Sequence, residues 1–460
     1  MSRVISLDGT IAAISTPIGE SGIGIVRLSG KDALAIADKI FRSKNGRRPS
    51  EFPTFTTHYG YVSTKSELID EVILTVMRAP RTYTKEDIVE INCHGGIVPL
   101  RKVLDLVINS GARLAQPGEF TKRAYLNGRI DLSQAEAVLD IIKSKTQESL
   151  QAALRQLEGG LSGQVNKLSN KILDICVNIE ARIDFPDDVS DPLVLEPEVD
   201  AIIKRLKSLI ESFEQGQILR EGLSIVICGR PNVGKSSLMN TLLKKNRAIV
   251  TPLPGTTRDI IEEQVNIKGL ALRLIDTAGL TEKKDYICYL TVKRAEAMIA
   301  EADLILFVLD GSQPLAEEDK SIIDKIKDRK FIAVINKIDL PLVLRLEGIK
   351  RAVKDKKIVK VSATEGTGLP LLEKAILEMV FKGEITVTNE PLVTNLRHKN
   401  ALAKALEYML KVKDGLKENL SPEIIVINSR EARNSLAEIA GRTASEDLLE
   451  GIFSQFCIGK

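Results

Sequence analysis

The sequence predicts a multidomain chain: an α+β N-terminal domain, an all-α helical domain, and an α/β domain inserted into the helical one. Three observations predict it. A chain of 460 residues has room for about three domains of ~150 residues each. Its texture changes from mixed strand and helix to helix near Thr121, to strand–helix alternation near Leu219, and back to helix after about Gly383. Continuous apolar runs mark the alternating stretch, and such runs suit strands buried on both faces of a parallel sheet. The predicted boundaries are 1–122, then 123–218 with 384–460, and 219–383 for the insertion.

Taken in order, residues 11–14 and 24–28 read as strands about the turn Pro17-Ile18-Gly19-Glu20-Ser21-Gly22, and residues 71–77 and 87–92 as further strands. Helical patterns lie at 31–42 and 96–110. Leu161, Val165, Leu168, Ile172, Ile175, Ile179 and Ile183 then recur at steps of three and four, giving one apolar stripe along a long helix. Asp184-Phe185-Pro186-Asp187-Asp188 breaks that helix, and another begins near Pro197. The runs 224–228, 272–275, 304–309 and 331–335 are parallel-strand candidates, and helix returns over 396–420 and 430–457.

Composition excludes several classes. Lys and Arg total 65 against 62 Asp and Glu, a net charge of +3, which argues against a protein coated in basic charge for non-specific nucleic-acid binding. No apolar run reaches the ~18 residues of a membrane span. The N-terminus lacks the apolar block of a signal peptide. The five cysteines are scattered without a C-x-x-C pair, so a reducing cytoplasm is expected rather than a disulfide framework.

Chemistry enters at Gly229-Arg230-Pro231-Asn232-Val233-Gly234-Lys235-Ser236, followed by Ser237. A glycine loop between an apolar strand and a helix wraps phosphates with backbone N–H groups. Lys235 reaches the β- and γ-phosphates and the Ser236 hydroxyl can ligate Mg²⁺. Downstream, Thr251-Pro252-Leu253-Pro254-Gly255-Thr256-Thr257 supplies hydroxyls, of which Thr257 can complete the Mg²⁺ shell. Asp276-Thr277-Ala278-Gly279 closes a strand with a carboxylate able to act on Mg²⁺ through water. In Asn336-Lys337-Ile338-Asp339, Asp339 can accept hydrogen bonds from guanine N1–H and the exocyclic amine, and Ser362-Ala363-Thr364 can present N–H to guanine O6. A carboxylate left unpaired by adenine penalises ATP, so GTP and GDP are the expected ligands of a Ras-like P-loop GTPase domain. The residue after Gly279 is Leu280, not the Gln that orients water in many GTPases.

Further motifs flank this domain. They include Asp8-Gly9-Thr10-Ile11, Gly22-Ile23-Gly24-Ile25-Val26-Arg27-Leu28, Tyr83-Thr84-Lys85-Glu86-Asp87, and Cys93-His94-Gly95-Gly96. Pro117-Gly118-Glu119-Phe120-Thr121, Leu126-Asn127-Gly128-Arg129-Ile130-Asp131 and the closing Phe456-Cys457-Ile458-Gly459-Lys460 complete the set. With them the chain resembles, end to end, the tRNA-modification GTPase MnmE (TrmE) family. That resemblance implies a cytoplasmic homodimer formed through the N-terminal domain, which also binds a tetrahydrofolate one-carbon derivative. It implies work on tRNA in a heterotetramer-type complex with the flavoprotein MnmG (GidA), which carries the FAD. Together they modify C5 of the wobble uridine, U34, with an aminomethyl- or carboxymethylaminomethyl-type group.

Site residues carried over are Arg27, Glu90, Arg129 and Lys460 for folate, with Cys457 near the chemistry. Cationic Arg and Lys suit the glutamate-tail carboxylates and Glu suits the pterin N–H groups. The resemblance also implies a potassium- and dimerisation-dependent GTPase, with K⁺ at Asn232, Thr251, Leu253 and Thr256, where a cation can stabilise developing charge as an arginine finger would. One departure stands out: Cys288 occupies the position of a family acidic residue that orients the attacking water. The competing reading is a ribosome-assembly or other regulatory GTPase switch without modification chemistry, and the flanking motifs weigh against it.

Overall fold

The computed structural model describes residues 9–185, 195–246, 262–276, 298–354, 356–381 and 391–460. Their contacts divide into two units. One comprises Met1–Leu139, Leu157–Val177 and Arg430–Lys460, the other Asp140–Gln156 and Asn178–Ser429.

In the first unit the strands are β1 (Ile11–Ile14), β2 (Gly24–Ser29), β3 (Phe41–Ser43), β4 (Thr56–Ser63), β5 (Leu68–Met77), β6 (Ile88–Cys93) and β7 (Arg113–Leu114). Among the described residues they form one sheet in the order β3-β4-β5-β6-β2-β1-β7, antiparallel except where β1 meets β7. Alternation gives β4 and β5 one buried face, whereas β1 is buried on both, Ala12 in one core and Ile11 and Ala13 in another. Val26, Leu28, Leu74, Val76, Val89 and Ile91 pack with Ile36, Ala37 and Ile40 of the helix Ala33–Ile40 and with Leu100, Val103 and Val107 of the helix Ile97–Asn109. A second cluster joins Ala124, Leu132 and Leu139 to Leu449, Phe453 and Phe456. The chain's last described segment thereby packs on helices that begin some three hundred residues earlier.

The predicted helix over 430–457 is two helices, Pro422–Ala440 and Glu446–Phe453. Gly441 (φ 79°) ends the first, and its carbonyl accepts the Tyr125 hydroxyl at 2.6 Å. Strands β3 and β4 escaped the sequence reading because Thr-Thr-His-Tyr-Gly-Tyr lacks an apolar run.

The second unit's strands are β8 (Leu223–Cys228), β9 (Glu262–Ile267), β10 (Leu270–Asp276), β11 (Leu304–Asp310), β12 (Phe331–Asn336) and β13 (Lys357–Lys360), ordered β13-β12-β11-β8-β10-β9. All pairs are parallel except β9–β10. Both faces are covered. Leu223, Ile225 and Ile227 of β8 enter one core and Val226 and Cys228 the other, which is why these strands read as unbroken apolar runs. Helices Glu196–Glu211 and Leu396–Lys417 pack together in the same unit, burying Val199, Ile202, Ile203, Leu206 and Leu209 on one and Ala401, Leu402, Ala405, Met409 and Val412 on the other. Among the described residues no helix is long and apolar enough to cross a membrane.

A charge network centred on the buried Glu119 and Arg123 of the helix Glu119–Leu126 ties parts of the first unit together. Arg123, 3% exposed, donates to Glu86 at 2.9 Å, to Glu119 at 3.0 Å and to the Gly9 carbonyl at 3.0 Å. Glu119, 2% exposed, also binds Arg113 at 2.5 and 2.8 Å. Burial alone would raise the Glu119 carboxyl, but hydrogen bonds from Arg113, the Gln116 N–H and Arg123 outweigh it and hold it below its ordinary value. Removing one member of such a network strands the others. Arg123→Met is expected to destabilise the first unit by roughly 3–5 kcal/mol, seen as a lower midpoint of its denaturant transition. Because the folded Glu119 carboxyl titrates below its unfolded value of 4.5, its contribution is present above that pH and is lost as pH falls through the folded pKa. Acid melts of wild type against Glu119→Gln are expected to show that loss in wild type alone.

Candidate nucleotide site and a terminal charge cluster

The loop between β8 and the helix Lys235–Asn246 turns through left-handed Asn232 (φ 62°) and Gly234 (φ 94°). At Gly234 glycine is required, since a Cβ there would collide with the Asn336 amide. The buried Lys235 ammonium donates to the carbonyls of Gly229 at 2.9 Å and Arg230 at 2.7 Å, placing a cation inside the loop with neutral acceptors that an anionic ligand can displace. Asn232, Ser236 and Ser237 are exposed at the loop mouth, and Val233 is buried beneath it.

Asn336, the last residue of β12 and 2% exposed, donates to the Val233 carbonyl at 2.9 Å and accepts the Ala363 N–H at 2.9 Å. Thr241, in the helix after the loop, donates to the Ala363 carbonyl at 2.7 Å. The structure thus joins the phosphate loop, the Asn336 motif and the Ser362-Ala363-Thr364 turn in one network. Lys337 (φ 62°) reaches back to Asp310 at 2.6 Å. Burial would raise the Asp310 carboxyl, but Lys337 and Ser312 bind it and pull it below the usual range. Ser362 is buried with its hydroxyl 3.1 Å from that of Thr364. Asp339 and Thr364 are exposed.

Thr251, Pro252, Leu253, Pro254, Gly255, Thr256, Thr257, Thr277, Ala278, Gly279 and Cys288 lie outside the described residues, and Asp276 is placed as the end of β10. Asp310 was missed in the sequence, although a carboxylate closing an apolar strand two dozen residues before a lysine motif was a usable signal. The Cys228 thiol, pushed up to about 12 by burial, is inert.

In the first unit, Arg27 of β2 and Glu90 of β6 are direct cross-strand partners, with Nε and Oε1 2.7 Å apart. The Arg27 guanidinium also lies 5.7 Å from the centre of the Phe120 ring and 3.4 Å from the Gly459 carbonyl. Gly459 (φ 96°) fits so closely that a Cβ would strike the Ile14 carbonyl, and its own carbonyl accepts the Ser15 hydroxyl at 3.3 Å. Lys460 is thereby set beside Arg27 and Glu90. Burial and the Arg27 charge lower its pKa, against the opposing pull of Glu90 and Cys457. Cys457 is exposed.

Arg129 lies 4.7 Å over the Tyr83 ring, and the Tyr83 hydroxyl meets Thr121 at 2.9 Å. Burial raises the Tyr83 phenol, partly offset by Thr121 and by the charges of Arg129 and Arg27. The four residues expected to act together are therefore grouped, with Tyr83 and Phe120 as aromatic members that the sequence reading did not single out. His94 sits apart, its Nδ1 2.6 Å from Asp70, which raises its pKa.

A mainly parallel sheet carrying this glycine loop, with a guanine-type Asn336 motif tied to it, defines a P-loop GTPase. Family models described as "GTP-binding protein TrmE N-terminus" and "MnmE helical domain" match residues 10–129 and 132–457. The protein named tRNA modification GTPase MnmE from Alkaliphilus metalliredigens (strain QYMF) is 47% identical over 459 residues, covering 99% of this chain and 100% of its own length. Its namesake from Thermoanaerobacter pseudethanolicus is 49% identical over 457 residues, covering 98% and 99%. Among solved structures, a variant of Aquifex aeolicus Era bound to GDP and aluminium fluoride is 32% identical, covers 41% of this chain and 67% of its own, and has a TM-score of only 0.29. The chain belongs to the MnmE (TrmE) family of tRNA modification GTPases.

Asn336→Ala removes both bonds of a buried amide and leaves the Val233 carbonyl and Ala363 N–H without it. Guanine-nucleotide affinity is expected to fall about 10- to 100-fold, from ~1–3 kcal/mol of lost positioning, as read by calorimetric titration with GDP.

Proposed function

We propose that this protein is the GTP-hydrolysing component of a complex that modifies C5 of the wobble uridine U34 in tRNA, adding an aminomethyl- or carboxymethylaminomethyl-type group from a tetrahydrofolate one-carbon donor. One observation carries the reading: similarity to the tRNA modification GTPases runs over the whole chain, so the nucleotide loop and the Arg27–Glu90–Lys460 cluster belong to one machine. The chain is read as three domains, 1–122, 123–218 with 384–460, and 219–383. It works as a cytoplasmic homodimer with the flavoprotein MnmG (GidA), which holds the FAD.

GTP is held by Asn232, Val233, Gly234, Lys235, Ser236 and Ser237, by residues 251–257 and 276–279, and by Asn336, Lys337, Asp339, Ser362, Ala363 and Thr364. Lys235 balances phosphate charge, and Asp339 selects guanine by offering a carboxylate that adenine leaves unpaired. The exposed Asn232 amide and Ser236 hydroxyl are hard oxygen donors, the kind that K⁺ and Mg²⁺ take. Ser236 and Thr257 hold Mg²⁺, and Asn232, Thr251, Leu253 and Thr256 hold K⁺. The two cations supply charge stabilisation during phosphoryl transfer. With Leu280 unable to orient water, that stabilisation carries more of the rate. Arg27, Arg129 and Lys460 bind carboxylates of the folate and Glu90 accepts from pterin N–H groups. Cys457, exposed beside them, stands at the edge of the folate site.

Nucleoside analysis of tRNA tests the reading directly. Cells lacking the protein are expected to lose the C5 modification at U34 and to regain it with the wild-type chain; unaltered U34 would overturn it. Turnover is expected to be K⁺-stimulated, with Cys288→Glu faster than wild type by about tenfold or more, as a positioned carboxylate would supply. Equal turnover would remove Cys288 as a brake on hydrolysis.

A further inference from the structure

Beside Arg129 lies a cleft of about 500 Å³ with Arg81, Lys85 and Arg129 as its cations and Phe55, Met77 and Tyr83 among its apolar walls. No carboxylate is among its lining residues. Two of them take a backbone conformation that side chains avoid: Phe55 at φ 58° and Lys85 at φ 59°. Strain of this kind persists only where the surroundings enforce it, and it gathers at ligand sites. The Phe55 N–H is pinned to the Val76 carbonyl at 2.7 Å, and Lys85 Nζ is tied to the Gly128 carbonyl at 3.0 Å. Phe55 is nonetheless 57% exposed.

The cleft adjoins the terminal charge cluster through Tyr83. That residue lines the cleft, and its phenol feels both Arg129 and Arg27. On the folate reading, Arg27, Arg129 and Lys460 are already three side-chain cations for the two carboxylates of a single glutamate tail, with Glu90 given to the pterin. Arg81 and Lys85 are then two cations beyond what that tail requires. We infer that this cleft receives the γ-linked glutamate chain of a polyglutamylated folate. Each added γ-linked residue brings one more carboxylate for Arg81 or Lys85, and its methylenes lie against Phe55 and Met77. This rests on the folate reading of Arg27, Glu90, Arg129 and Lys460.

The test is a calorimetric comparison of mono- and pentaglutamyl 5-formyltetrahydrofolate binding to the full-length protein. Wild type is expected to bind the pentaglutamate about fivefold more tightly, the size that two exposed ion pairs supply. In the Arg81→Ala/Lys85→Asn double variant that preference should disappear while monoglutamate affinity stays within about twofold. Asparagine is chosen because it tolerates the left-handed backbone. Raising ionic strength should erase the preference in wild type too, which keeps the inference testable if the variant folds poorly. Equal affinities in wild type, or a preference that survives both treatments, would overturn it while leaving the folate reading intact. Failure of either folate to bind would overturn both.

Discussion

The nucleotide-binding half of the molecule depends on the two hydrogen bonds of one buried amide, that of Asn336. Its carboxamide is saturated at both ends by backbone, the Val233 carbonyl on the phosphate loop and the Ala363 N–H on the base-side turn. A buried amide that lost either partner would carry a desolvation penalty of ~1–3 kcal/mol. The two loops therefore cannot drift apart independently. This works because β8, β11 and β12 run parallel as neighbours, so their carboxyl ends open on one edge, where ligands of such sheets sit. It works also because Gly234 has no side chain to fend the amide off.

The first unit uses charge in two ways. Around Arg123 the charges are matched, with Arg123 and Glu119 buried and Arg113 and Glu86 half-buried, so the network specifies geometry rather than reactivity. Around Arg27 the charges are unequal. Arg27 and Lys460 face a single Glu90, and the Lys460 ammonium is disfavoured by burial and by Arg27. A site that strains its own cations in this way is relieved by an incoming anion.

Much of this was legible in the sequence, for physical reasons that differ by element. Strands β8, β11 and β12 announced themselves because burial on both faces demands unbroken apolar runs. The glycine loop and the Asn336 motif were legible because phosphate wrapping and base discrimination admit few residue types at fixed spacing. Strand β4 was not, because a strand with one exposed face and polar threonines carries no such run. Nor was the pairing of Lys337 with Asp310, or of Arg27 with Glu90. The register that makes Arg27 and Glu90 neighbours belongs to β2 and β6 together, and neither strand carries it alone. The family resemblance named Arg27, Glu90, Arg129 and Lys460 as site residues and carried Tyr83 only within a motif; the fold sets its ring under Arg129 and its phenol within reach of the Arg27 charge.

The seat of Gly459 against Ile14 has a consequence in time. Arg27 emerges from the ribosome 432 residues before Gly459, whose carbonyl it meets. The stretch that carries the glycine loop and the Asn336 motif is synthesised wholly between the two. A nascent chain can therefore assemble its nucleotide-binding sheet while the Arg27 cluster still lacks Lys460. The Arg27 cluster is completed only by contacts that span more than four hundred residues of chain, from Ser15 and Arg27 to Gly459.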